Sequence, residues 1–160
     1  MTGVEYLRAM IAGERPMAEM MHLLSMRIVA AEEGMVRFEG MPAQRYTNPA
    51  GVLHGGWMAS LLDSTAALTA YSTLPADKVV TTVDVHLHCL RPVLPDRGKV
   101  ICEGSVINNG RSLILVDARA RDSDGRLLGY ATSTCMVLDY AKLPRKDAMP
   151  PPPKAESLGE

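Results

Sequence analysis

The stretch Asn48-Pro49-Ala50-Gly51-Val52-Leu53-His54-Gly55-Gly56, running directly into residues 57–74, decides how the chain folds. Asn48, Pro49 and Gly51 mark a loop. The segment after it is long enough for about five helical turns. It is apolar or small nearly all round, with Met58, Ala59, Leu61, Leu62, Ala66, Ala67, Leu68 and Ala70. A helix of that texture is predicted to be buried on most sides. Pro75 ends it.

The flanking sequence supplies strands to cover this helix. Upstream, residues 25–31 and 35–40 alternate apolar and polar side chains around Glu33-Gly34, which reads as a hairpin. Downstream come four β-like runs, 78–90, 98–108, 112–121 and 127–138. They are separated by turns at Pro95-Asp96, at Asn108-Asn109-Gly110 and over residues 122–125. Alternation is clearest in Val83-Asp84-Val85-His86-Leu87-His88-Cys89. The predicted architecture is α+β, one antiparallel sheet curled around a lone central helix. Residues 1–24 read as a helical segment, with Val4, Leu7 and Ile11 at helical spacing and Pro16 as an interruption. The domain proper spans 25–140. Residues 141–160, with prolines at 150–153, read as an extended or disordered tail.

Composition narrows the function classes. Lys+Arg is 17 and Asp+Glu is 18, so the net charge is −1, with no basic block to attract nucleic acid or an anionic membrane. Aromatics at 4% leave little for base stacking. Cys89, Cys102 and Cys135 show no paired spacing, which suits reduced thiols in the cytoplasm better than disulfides or a zinc site. The first residues lack the basic patch and apolar run of a signal peptide. The most apolar stretch, around 53–74, is broken by His54, two glycines and Asp63, so no membrane span is expected.

The helix start is the first candidate site. Its backbone N–H groups are free and carry the positive end of the dipole. Glycines let a ligand come close, so an anion or the oxygen of a polarised carbonyl fits there; tight helix packing is the plainer use of the same glycines. Asp63 is the second candidate. A carboxylate among Leu61, Leu62, Ala66 and Ala67 is costly to bury. Desolvation favours its neutral form, which suits a base working near neutrality. It could instead cap a buried donor, or share a polar stripe with Ser60 and Ser64. Gly55 and Asp63 are eight residues apart, roughly 12 Å along a helix axis. One small carbonyl cannot touch both within a chain, so a shared site needs a second subunit.

Other polar residues leave alternatives open. His54 could do acid–base work, pack, or orient Asn48. His86 and His88 share a strand face but lack further ligands at matching spacing, so no metal is expected. Thr81 and Thr82 face opposite sides, so at most one points at the helix. Arg111, after Gly110, could pair with a phosphate or be solvated, and Arg91-Pro92 reads as a strand terminator.

Taken together, these residues resemble the PaaI-like branch of the hotdog-fold acyl-CoA thioesterases. The resemblance runs from about Leu24 to Leu138. It rests on Asn48-Pro49-x-Gly51-x-x-His54-Gly55-Gly56, Asp63 nine positions after His54, Thr82-Val83-Asp84, Arg91-Pro92, Gly110-Arg111 and Asp124-Gly125-Arg126. It implies a hotdog fold and hydrolysis of an acyl- or aryl-CoA to the free acid and CoA. In that scheme Asp63 is nucleophile or base, and Gly55 gives the oxyanion N–H from another subunit. Asn48 and His54 orient the thioester or water, Thr82 (with Thr81 as the alternative) helps place the water, and Gly110 and Arg111 meet the phosphates of CoA. No cofactor is implied, and a homo-oligomer, a dimer or a dimer of dimers, is. Two rivals share the fold: an acyl-thioester hydratase or dehydratase, and a non-catalytic acyl-CoA-binding module.

Overall fold

Thr2 begins the first ordered element. Its hydroxyl accepts from the Glu5 amide while the Glu5 carboxylate accepts from the Thr2 amide, a reciprocal cap that starts α1 (Gly3–Ile11). Pro16 lies in the irregular link to the short α2 (Glu19–Leu23). The hairpin follows, β1 (Met26–Glu32) and β2 (Met35–Gly40), turning at Gly34 with φ +79°. A 3-10 turn at Gln44–Tyr46 leads through the glycine loop into α3 (Gly55–Tyr71). Four strands complete the fold: β3 (Lys78–Cys89), β4 (Val100–Asn109), β5 (Leu113–Arg121) and β6 (Leu127–Asp139). The computed structural model describes residues 1–143. The expected Pro-rich tail lies, from residue 144 on, outside the described residues.

All six strands form one antiparallel sheet in the order β1-β2-β4-β5-β6-β3. The α+β expectation of a sheet around one helix is met: α3 packs on β2, β3, β4, β5 and β6. β3 and β1 are the two edges, and β3 is paired along one side only. Among the described residues no helix is long and apolar enough to cross a membrane.

The packing of α3 differs from the sequence expectation. Trp57, Met58, Leu61, Leu62, Thr65, Ala66, Thr69 and Ala70 are buried, pairs of neighbours repeating every four residues along one face. The other face, with Ala59, Ser60, Asp63, Ser64, Ala67, Leu68 and Tyr71, is only half-buried. The helix is therefore covered on one face rather than on most sides. The sheet closes over that face alone, and the small residues opposite leave an apolar but partly open surface. On the covered face, the Thr65 and Thr69 hydroxyls donate to the Leu61 and Thr65 carbonyls at 2.7 Å, so burial leaves neither unpaired. Helix and sheet approach closely because Gly40 and Gly104 lack side chains. A Cβ at Gly40 would lie 2.5 Å from the Trp57 ring, and one at Gly104 would lie 2.2 Å from the Thr69 hydroxyl.

Leu62, fully buried on this face, gives a direct test of the arrangement. Leu62→Ala removes buried methyl groups and leaves a cavity, so denaturant unfolding should show a loss of about 2–5 kcal/mol. A loss below about 1 kcal/mol would contradict this packing.

Candidate active site

The loop before α3 is held by its own backbone. The Asn48 Oδ1 accepts from the Ala50 amide at 2.9 Å and the Val52 amide at 3.3 Å, and the Asn48 amide donates to the Val52 carbonyl at 2.8 Å. The His54 amide donates to the Tyr46 carbonyl and the Leu53 amide to the Val93 carbonyl, both at 2.8 Å, fastening the loop to its neighbours. No hydrogen bond joins His54 to Asn48, the orienting contact weighed from sequence. The carboxamide oxygen of Asn48 is occupied by its own loop, and its Nδ2 keeps its donors. His54 is the N-cap of α3: its Nδ1 accepts from the Gly56 amide at 2.8 Å. Nδ1 serves here as an acceptor, which leaves Nε2 as the ring nitrogen not used by the cap.

This cap sorts the first amides of the helix. Gly56 N–H goes to His54 Nδ1, and Trp57 N–H goes to the His54 carbonyl at 3.0 Å. The Gly55 N–H has no partner among the described residues. A Cβ built at Gly55 meets nothing within 4 Å, and its φ is not positive. Neither backbone strain nor crowding within this chain demands a glycine there. The position opens on a groove of about 240 Å³, lined among others by Leu53, Met58, Leu90 and Arg91. A dipole-backed, solvent-open N–H at a helix start is suited to hold a polarised carbonyl oxygen.

Asp63 stands on the half-open face of α3. The Thr82 hydroxyl donates to its Oδ1 at 2.8 Å, and Thr81 is exposed on the outer side of β3. A β-bulge explains why Thr82 is the inward threonine. The β3–β6 register shifts between Thr82 and Asp84, leaving Val83 unpaired and 51% exposed. Before the bulge, Thr82 lies opposite buried Cys135; after it, Val85 lies opposite buried Ser133. Carried back from Val85 and Leu87 without interruption, the alternation would have turned Thr81 inward. The extra residue reverses the phase. The Cys135 thiol beside this pair is pushed up by burial, against a smaller lowering from its Ser133 hydrogen bond, with the charges of Asp63 and Asp84 adding to the rise, so it stays a neutral thiol.

The remaining candidates are dispersed. Arg111 is exposed at the β4–β5 turn, with no ion pair among the described residues. That turn lies by the C-terminal end of α3, where the Thr73 hydroxyl donates to Asn109 Oδ1 at 3.3 Å. Gly110 serves the turn itself: a Cβ there would lie 2.4 Å from the Leu113 carbonyl oxygen. His88 stacks on Tyr130 with ring centroids 4.7 Å apart. Among the described residues no group of three or more His, Cys, Asp or Glu is placed to hold a metal ion. Gly55 and Asp63 remain about 12 Å apart along α3, so a single chain does not bring the free N–H and the carboxylate together.

Comparison with known proteins gives these residues a context. Residues 50–128 match the family model described as the thioesterase superfamily. A protein of Saccharolobus solfataricus provisionally named an esterase is 30% identical over 72% of this chain and 80% of its own length. The crystal structure of a thioesterase from Haemophilus influenzae is 27% identical, with a TM-score of 0.71 over 76% of this chain and 83% of that one. A Ralstonia eutropha structure described as phenylacetic acid degradation-related is also 27% identical, with a TM-score of 0.75 over 82% and 98%. The fold is a hotdog, one helix held in a curled antiparallel sheet, and the candidate residues lie at the open start and along the middle of that helix. The chain belongs to the thioesterase superfamily.

The His54 cap carries its own prediction. His54→Ala leaves the Gly56 N–H without its acceptor, and urea unfolding should show a loss of about 1 kcal/mol. Unchanged stability would mean that the ring does not cap the helix in solution.

Proposed function

We propose that the protein hydrolyses acyl-CoA thioesters in a site shared by two copies of the chain. The observation that carries this reading is the pair of groups on α3: an unpartnered Gly55 N–H at its start, and a hydrogen-bonded Asp63 about 12 Å further along. The first is an electrophile holder and the second a base or nucleophile, and they work on one carbonyl only when a second α3 runs alongside. β3 offers the means. Its twelve residues form a sheet edge with one free side, and pairing with a two-fold mate would continue the sheet and set the two helices side by side. A dimer, or a dimer of such dimers, follows.

In such a site the thioester oxygen accepts from the Gly55 N–H of one chain, which stabilises the charge that develops on it. Asp63 of the partner subunit draws a proton from water, and the hydroxide adds to the carbonyl carbon. The carbon–sulfur bond then breaks, the leaving sulfur takes up the proton held by Asp63, and the acid and the CoA thiol are released. Direct attack by the carboxylate oxygen, followed by hydrolysis of the resulting anhydride, uses the same placement. The Thr82 hydroxyl holds Oδ1 and leaves Oδ2 for the water or the carbonyl carbon. Asn48 Nδ2 and His54 Nε2, both donors on the loop, orient the substrate, and Arg111 pairs with CoA phosphates. Free thiols at Cys89, Cys102 and Cys135 suit the cytoplasm. A hydratase needs a histidine free to exchange protons at the acyl chain. The products separate that alternative, since a hydratase would leave a shifted double bond or a new hydroxyl on the acyl chain and release no CoA.

Incubation with a panel of aromatic and straight-chain acyl-CoAs and a thiol reagent tests the reaction. Wild type should release free CoA, and Asp63→Ala should lose on the order of 10²-fold or more in kcat while remaining folded. Binding without turnover in wild type would instead identify an acyl-CoA-binding module.

Chain mixing tests the shared site. Asp63→Ala and Asn48→Ala chains, each inactive alone, should regain about half the wild-type activity per mixed dimer, because one site then carries both lesions and the other neither. With subunit exchange shown by differently tagged chains, absence of recovery would rule out a site built from two subunits.

A further inference from the structure

The Asp63–Thr82 contact depends on a bulge, and the bulge has its own clasp. Where Val83 interrupts the β3–β6 ladder, the Thr134 amide, opposite Asp84, donates to Asp84 Oδ1 at 3.2 Å. On the same strand the Ser133 hydroxyl donates to the Asp84 carbonyl at 3.0 Å. Asp84 thus takes two hydrogen bonds from β6 at the point where the strand changes phase. Ser133 is fully buried, and Asp84 is half-buried in this contact with no ion pair among the described residues. A half-buried carboxylate without a cation is held for its hydrogen bonds.

We propose that Asp84 is a positioning residue for the reaction: by clasping the bulge at Val83, it turns Thr82, rather than Thr81, towards Asp63. This rests on the thioesterase reading above, in which Asp63 acts on the substrate. The bulge is not imposed by turn geometry, since it sits inside a twelve-residue strand paired along its length. Without the Asp84 acceptor, the Thr134 amide regains a partner most simply by slipping β3 back into regular register. Regular register withdraws the Thr82 hydroxyl from Asp63.

The test compares Asp84→Asn, which keeps an Oδ1 acceptor, with Asp84→Ala, which removes it. Asp84→Ala should lower kcat for acyl-CoA hydrolysis about tenfold, the worth of one ordinary hydrogen bond, with KM nearly unchanged; Asp84→Asn should stay within about threefold of wild type. In a Thr82→Val background, Asp84→Ala should cost nothing further, since it acts through the hydroxyl already removed. Additive losses, or failure of Asn to rescue, would overturn the assignment. Hydrogen exchange at the Thr134 amide reads the clasp without activity and should be about tenfold faster in the Ala variant than in the Asn variant. If wild type hydrolyses no acyl-CoA but this exchange difference is found, the functional reading fails and the clasp stands. Equal exchange rates would overturn the clasp. Should Asp84→Ala not fold, Asp84→Ser, with its shorter reach to the amide, gives the same comparison at smaller amplitude.

Discussion

One face of one helix must leave water, and the sheet curls to let it. The buried pairs from Trp57 to Ala70 need cover along four turns, and strands β2 to β6 provide it. Hydrophobic burial of this kind is the largest favourable contribution to folding. It also fixes α3 as a rigid rod whose opposite face is free for other uses. Gly55 and Asp63 are therefore held at a set spacing by the core itself. Groups fixed in this way need little reorganisation when charge develops on a substrate, which is the basis of electrostatic catalysis.

The amides at the start of α3 show how capping and binding divide one small set of donors. A serine or aspartate cap would also satisfy an early amide. A histidine does so through a ring whose second nitrogen the cap does not use. His54 takes Gly56, the helix takes Trp57, and Gly55 alone is left over. The cap stabilises the helix while leaving the Gly55 N–H free of any partner among the described residues. Among the described residues no buried side-chain polar atom is left without a partner.

Much of this was legible in the sequence. The order of helices and strands, the hairpin at Gly34 and the turn at 122–125 follow from periodicity and glycine placement, and each strand lies within about two residues of its expected bounds. The candidate residues at 48, 54, 55 and 63 stood out through residue type and spacing. Three features did not. The half-open face of α3 was hidden because alanine and serine look equally at home under a sheet or beneath a second subunit. The occupation of the Asn48 oxygen by its own loop depends on backbone geometry that a single letter does not carry. The inward turn of Thr82 depends on one residue that breaks the phase. Thr81-Thr82-Val83 presents three β-formers in a row, so alternation is silent at the point where it reverses.

The indole of Trp57 links the N-terminal segment to this core. It is the single tryptophan of the chain, it is buried against Gly40, and its Nε1 donates to the Leu24 carbonyl at the end of α2 at 2.9 Å. The Tyr46 hydroxyl reaches the neighbouring Leu23 carbonyl at 2.6 Å, so α2 is tethered twice to the loop and helix of the site. Detachment of residues 19–24 would strip the indole of its hydrogen bond and admit water to one edge of the ring. The protein thus carries its own optical gauge. Emission from this one indole distinguishes loosening of α2 from collapse of the whole domain, with no label added.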